Sequence, residues 1–410
     1  MSEINAAPRA LDGVKVVDFS RVVAGPICTM ILADLGAEVI KIEDPNGGDD
    51  TRSYPPQNHV GESASFLGLN RNKQGIVLDL AKPEAREIAR GLIRRADVLM
   101  ENFSAGVMRK FGLHWEEASR LNERLIYCAV SAYGRSGPHA DRAGFDPITQ
   151  AESGFMSLNG HPEMPPVRTA VPMIDVTSGM SAAHAILAAL YARERLGKGQ
   201  YVEVALFDDA MQMTMMYGMQ YLVSGTVPQR FGNAPSLVQP NGPYQAKDGP
   251  FFLVAVNDRL YGKLVRDVLD RPDLLTDPRF ANNTIRGANR AALDEALNAE
   301  FAKAPRAAWI QRMRAAGVPA GEIRTVAEAF ASQEARDRGI RLDIPHTTAG
   351  TVPQVRSPLH LSLTPVRPPA GPPVLGEHTA QVLERELGID RVGLRALQEA
   401  GVFGKVKVAG

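Results

Sequence analysis

Asp175 stands in VPMIDVTSGMSAAHAILAAL, where a carboxylate is followed by hydroxyl residues, a glycine and a run of good helix formers. Two roles fit that pattern. A carboxylate ahead of a helix can accept its first N–H groups as an N-cap; at an element end facing a cleft it can attack a thioester carbonyl, as other aspartate and glutamate nucleophiles do. Gly179 and its small neighbours would let a substrate approach. A second feature is RVVAGP, where Gly25 and Pro26 open a helix just after the apolar run VKVVDF. A crevice beyond the carboxyl end of a parallel strand, backed by a helix N-terminus, suits a nucleotide or phosphate. The GxGxxG fingerprint is missing there, so an NAD enzyme loses its main signal.

Arg52, Arg71, Lys73, Arg109, Arg142 and Arg168 fall in loops or near element ends, where forked or point-charge donors could hold phosphates and carboxylates. A solvated surface charge is the ordinary alternative for each. The eight histidines show no HExxH or related spacing, so no metal site is expected, and His184 reads as packing.

The elements that must position these groups follow from periodicity. Val14 to Phe19 reads as a buried strand, about Gly25 to Leu35 as a helix, and AEVIKIE as a second strand, a βαβ unit. Helix near Pro83 to Arg95, strand at Ala96 to Met100, helix around Ala105 to Phe111 and strand at Arg124 to Val130 continue the rhythm. The expected fold is α/β, a doubly wound parallel sheet. VPMID leads into a helix that ends before the strand QYVEVALF, which puts Asp175 where a strand meets a helix. The Met-rich stretch from Asp208 reads as one long helix; a Gly/Pro/Asn-rich connection, a strand at Phe251 to Val256 and amphipathic helices to about Gly339 follow. The tail is strand-like and turn-rich before helices from about His378 and Val392.

A chain of 410 residues with 44% hydrophobic residues can bury a large core and exceeds the usual size of one domain. Acidic and basic residues balance at 46 each without a long block of one sign, which argues against a nucleic-acid partner. Cys28 and Cys128 lack CxxC spacing and suit a reducing cytosol. The N-terminal MSEINAAPRALDG has no apolar h-region, and apolar runs are read as broken by charge before the ~20 residues a span needs, so neither secretion nor a membrane partner is expected.

LDGVKVVDFSRVVAGP, LADLGAEVIKIEDPNGGDDTR, LNRNKQGIVLDL, ENFSAGVMRKFGL, SAYGRSGPHADRAGFDPITQAESG, MIDVTSGMSAAHAILAAL and PVLGEHTAQVLERELG, in that order, resemble the class III CoA-transferase family, of the formyl-CoA transferase and carnitine CoA-transferase type, almost end to end. The resemblance implies a Rossmann-like large domain (1–207, rejoined by 341–410), a linker helix (208–225), a smaller α+β domain (226–340) and an interlocked homodimer. It implies CoA transfer between carboxylic acids through a covalent intermediate on Asp175, with acyl-CoA as substrate and no tightly bound cofactor or metal. By position, Val23 and Ala24 would line the CoA site, Lys73 and Arg109 would meet its phosphates, and Asn102 and Phe103 would border pantetheine or adenine. Tyr54 and Tyr133 would be the aromatic positions around the active site.

Val23, Asp44 and Ser131 depart from formyl-CoA transferase, where glutamine, arginine and lysine stand, so oxalate and formate lose support. The loop AVNDRLYG is similar to that of the branch using dicarboxylic acids, which favours a succinyl-CoA donor. Arg168 or Arg52 could then hold a distal carboxylate. The rival readings are a 2-methylacyl-CoA racemase, in which Phe145 stands where a proton-shuttling histidine is needed, and an inactive acyl-CoA-binding protein, against which Asp175 speaks. Glu377 and His378 in LGEH would either contact the active site or only cap the final helix.

Overall fold

The structure is a computed structural model that describes residues 7–58, 60–233 and 238–408. Part of the N-terminal segment read above and four residues of the Gly/Pro/Asn-rich connection lie outside those described. The chain forms two compact units, one from residues 1–153, 170–216 and 338–410, the other from 154–169 and 217–337.

The first unit is built on six parallel strands: β1 (Lys15–Asp18), β2 (Glu38–Glu43), β3 (Lys73–Val77), β4 (Val98–Glu101), β5 (Ile126–Ser131) and β6 (Tyr201–Ala205). They lie in the order β3-β2-β1-β4-β5-β6. Connections from β1 run outward in both directions, so the strand order reverses between β1 and β4, where ligand crevices form in open α/β sheets. Both faces are covered, which is why the strands read as continuous β-branched runs. On one face Val17, Ile40, Leu99 and Tyr127 pack with α3 (Pro83–Ile93) and α5 (Trp115–Leu121). Alternation sends Val16, Val39 and Val98 to the other face, which carries α1 (Ala24–Asp34) and α8 (Met173–Leu196).

Between these elements lie α2 (Ala64–Leu69), α4 (Val107–Phe111) and α6 (Asp146–Glu152). The helices Thr379–Leu387 and Arg391–Glu399 return to the α3 face, where Val382, Leu383 and Leu394 join the core.

Three expectations need correction. No strand precedes α8: prolines at 165, 166 and 172 deny the backbone the N–H groups a ladder needs. The Met-rich helix is two, α9 (Leu206–Met213) and α10 (Met215–Ser224), with Thr214 turned out of helical geometry between them. Finally, charge does not break every apolar run early: α8 is by length and composition apolar enough to cross a bilayer, and 44% of that stretch is buried inside the protein.

The second unit includes α7 (Phe155–Leu158), α10 from Tyr217 onward, a three-stranded antiparallel sheet of β7 (Asn241–Ala246), β8 (Gly249–Val254) and β9 (Ala320–Glu322), and helices between β8 and β9. Its core is an edge-to-face chain of Tyr244, Phe251, Phe301 and Trp309 with centroids 5.0–5.5 Å apart, a favoured arrangement for buried rings.

Candidate active site

The crevice begins with the turn after β1. Asp18, fully buried at the strand's end, accepts from the Ser20 amide (2.9 Å) and from the Thr29 hydroxyl on α1 (2.6 Å). Buried Lys41 ties this turn to the next, donating to the Ser20 carbonyl (2.7 Å) and to Asp49 (2.9 Å). Asp49 in turn accepts from the Val22 amide, holding Val22 at a left-handed φ of 69° that a β-branched residue adopts only when its surroundings compel it. Gly25 has no substitute here, because a Cβ would lie 2.2 Å from that of Ser20. The turn therefore presents Val23 and Ala24, at the mouth of α1, to an open space.

The turn after β4 faces it. Asn102 locks the two turns together, accepting from the Arg21 amide (2.9 Å) and donating to the Arg21 carbonyl (2.8 Å). The Arg21 guanidinium lies 5.5 Å from the Phe103 ring centroid. With the loop after β5, these turns enclose a cavity of about 200 Å³ bordered by Val23, Ala24, Asn102, Phe103, Phe145 and Asp175.

Asp175 is the third residue of α8, not its N-cap; that position is Pro172, which makes no side-chain cap. The first N–H groups are taken instead by Asp146 of α6, whose Oδ2 accepts from the amides of Ile174 (2.7 Å) and Asp175 (3.2 Å) while its Oδ1 accepts from Gln150. This frees the Asp175 carboxylate, which has no hydrogen-bond partner among the described residues. Burial, reinforced by the Asp146 charge, pushes Asp175 up to about 7. An aspartate without partners, facing a cavity from a helix's first turn, is poised to act as a nucleophile when ionised, because no bond must be broken first.

Gly179 serves packing, not substrate approach. A Cβ there would meet the Ala24 carbonyl oxygen at 2.5 Å, so α8 and α1 touch backbone to backbone. His184 is exposed on α8, not packed.

Several expected ligand residues are committed elsewhere. The Lys73 side chain is fully buried, its ammonium donating to Asp18 (3.3 Å), Asn70 (2.9 Å) and the Pro26 carbonyl (3.0 Å). Arg52 forks onto Glu43 (2.8 Å twice), donates to the Pro373 carbonyl and covers the Phe66 ring at 3.6 Å. Arg71 grips Asp34 and the Val355 carbonyl. Arg109 is exposed beside Glu116 and borders a different cavity, and exposed Arg168 lies in the second unit. Tyr54 is 42% exposed and does not border the Asp175 cavity. Tyr133 donates to Glu152 (2.7 Å), which also pairs with Arg142, itself stacked on the Tyr133 ring; of these only Arg142 borders the cavity. Glu377 accepts from the Val374 amide and the Thr347 hydroxyl, and His378 accepts from the Gly75 amide, both around a separate cavity.

Sequence reasoning missed Asp146 as the support of α8, although it stands next to Phe145 in the quoted AGFDP, and it missed Arg21 and Arg135. Arg135, in SAYGRSGP, borders the Asp175 cavity and donates through one nitrogen to Glu101 (3.1 Å to both oxygens) and the Phe103 carbonyl (2.7 Å). Burial pushes Glu101 up to about 7 against the pull of that guanidinium.

Residues 11–379 match the model of CoA-transferase family III. The chain is 38% identical to the succinate–glutarate CoA-transferase of Agrobacterium fabrum, over 93% of this chain and 96% of that one. It is 42% identical to the acetyl-CoA:oxalate CoA-transferase of Acetobacter aceti, over 78% and 82%. Among solved structures, a CAIB/BAIF family protein from Brucella suis superposes with a TM-score of 0.84 at 38% identity, covering 92% of this chain and all of that one.

Proposed function

The chain belongs to CoA-transferase family III and is an enzyme that transfers CoA between carboxylic acids; from that premise we propose that it works on dicarboxylic acids, with succinyl-CoA as donor, through covalent intermediates on Asp175. The observation that carries this reading is the partnerless Asp175 carboxylate in the cavity at the switch point of the sheet.

In the proposed cycle an Asp175 oxygen attacks the acyl-CoA carbonyl, the C–S bond breaks and CoA leaves as thiolate, giving a mixed anhydride. The thiolate attacks the Asp175 acyl carbon, releasing the donor carboxylate and leaving an aspartyl-CoA thioester. The acceptor carboxylate attacks that thioester and expels the thiolate, which then attacks the acceptor's acyl carbon and restores Asp175. No proton, water or electron is consumed; the gain lies in dividing one exchange into covalent steps.

Val23 and Ala24 would meet the thioester end of CoA, with Asn102 and Phe103 along its arm. For the phosphates, Arg21 and Lys110 replace Lys73 and Arg109. Both border a second cavity of about 320 Å³ that shares Phe103 with the first, room for the rest of the cofactor. The named relatives support dicarboxylic substrates, and the oxalate-using one keeps oxalate among the candidates. A 2-methylacyl-CoA racemase is disfavoured because Phe145, beside the cavity, carries no proton. A homodimer is supported by Met180, Tyr191, Leu196, Met211, Met215 and Met216, large apolar side chains left exposed on the first unit, and a cytosolic location by two buried free thiols.

The test is to incubate the enzyme with succinyl-, acetyl- and oxalyl-CoA, with and without dicarboxylic acceptors, following new CoA esters and intact protein mass. CoA exchange with an enzyme-bound CoA adduct, both lost in Asp175→Ala, is expected. Exchange that survives in Asp175→Ala would sink the covalent route.

A further inference from the structure

We propose that Arg135 is the specificity residue that receives the distal carboxylate of the dicarboxylic substrate, an inference that rests on the transferase reading above. An acyl group with a second carboxylate brings a charge into a cavity already bordered by Asp50, Asp141 and Asp175. Unpartnered, that charge would face both desolvation and like-charge repulsion. A cation must meet it, and among the described residues bordering the cavity the cations are Arg21, Arg135 and Arg142.

The three differ in what remains of them. The Arg21 side chain is 49% exposed, lies beside Asp50 at 3.4 Å and leans on Phe103. That of Arg142 is 44% exposed, bound to Glu152 and stacked on Tyr133. That of Arg135 is 15% exposed and anchored through Nη2 alone, to Glu101 and the carbonyls of Phe103 and Val130. Its Nη1 and Nε have no partner among the described residues, and neither is shut away from solvent. Arg135 is thus a guanidinium whose position is fixed by three acceptors at the ends of β4 and β5 and whose remaining donors are unspent, at a place that borders both the Asp175 cavity and the one beside Arg109.

That combination favours substrate recognition over surface charge. Immobilising a long side chain normally costs conformational entropy when a ligand binds, and here the protein has already done so. A site built to bond a substrate's polar group also rejects the analogue lacking it, because its own donors are then left unpaired. Glu101 supplies the anchor without crowding the cavity, which it does not border.

The experiment measures identity exchange of succinyl-CoA with labelled succinate and of butanoyl-CoA with labelled butanoate, in the wild-type enzyme, Arg135→Met, Arg135→Lys and Arg142→Met. The wild type should prefer the dicarboxylic pair in kcat/KM. Arg135→Met should lower that preference on the order of 10- to 100-fold, the range for a hydrogen bond to a charged group, while butanoate exchange persists and reports an intact fold. Arg135→Lys should recover part of the preference. If Arg135→Met does not fold, the double variant Arg135→Gln/Glu101→Gln, which leaves no buried carboxylate unpaired, carries the same comparison. An unchanged preference in a variant that still exchanges butanoate overturns the assignment alone. So does a loss in Arg142→Met instead, or an equal loss for both acids with a raised KM for CoA. No exchange of either acid by the wild type overturns the transferase reading itself.

Discussion

Replacing Asp175 with asparagine should stabilise the protein, by an amount that grows with pH. The cavity withholds solvent and Asp146 adds a like charge, so the folded state holds the Asp175 proton up to about 7, whereas an unfolded chain releases it near 3.9. Between those values the folded state binds more protons than the unfolded one, and stability falls as pH rises. At about 1.36 kcal/mol per pH unit the full cost above pH 7 is about 4 kcal/mol; solvent entering the cavity mouth reduces it to about 2–4. Asparagine has the same shape and no charge to lose. Near pH 4 the two proteins should melt together, and at pH 8 the variant should melt higher by about 4–8 °C, taking about 2 °C per kcal/mol for a unit of this size. Thermal unfolding of both proteins from pH 4 to 8 reads this directly. Glu101, also held up to about 7, contributes equally to both and cancels. A difference that stays flat with pH, or a wild type that is the more stable at pH 8, refutes the account of Asp175 as a desolvated, partnerless carboxylate.

On the proposed route only ionised Asp175 attacks, so kcat/KM for acyl-CoA should rise with pH through a midpoint near 7, measured as exchange rate across pH 5–9. Asp146→Asn, which removes the nearby charge, should move that midpoint to lower pH; an upward move would show that Asp146 does not act through its charge. Lys73→Met should leave KM for CoA unchanged and cost about 3–5 kcal/mol in denaturant unfolding, as loss of one partner from a buried ion pair does. Gly179→Ala should reduce activity together with stability, since its Cβ needs space held by the Ala24 carbonyl; unaltered exchange and melting would contradict the tight contact.

The legibility of the chain was uneven for physical reasons. Strands rich in valine and isoleucine, such as VKVVD and EVIKIE, and helices bounded by Gly or Pro declare themselves through local pattern. β3 does not, because KQGIV carries a glycine that exists to let Pro373 approach within 2.9 Å of where a Cβ would be. Asp175 was singled out by its place ahead of a helix and by the family resemblance, but its support was not: Asp146 lies 29 residues away and meets α8 only in the folded chain. The basic residues misled most. Whether a cation greets a ligand or a carboxylate of its own protein depends on tertiary neighbours, so the sequence could offer Arg52 and Lys73, which Glu43 and Asp18 claim in the fold, and pass over Arg135.

The contact of Gly179 with the Ala24 carbonyl separates two tasks that many enzymes leave entangled. The helix that carries the proposed nucleophile and the helix that lines the crevice are registered where a Cβ on Gly179 would meet the Ala24 carbonyl and the Ile27 side chain, so their spacing does not pass through Arg135 or Arg142, the arginines weighed above for the acid. Mutation can reline the acyl end of the cavity, exchanging one arginine or aromatic residue for another, while the reacting geometry stays as it was. A scaffold of that kind is free to change its substrate one side chain at a time without passing through an inactive ancestor.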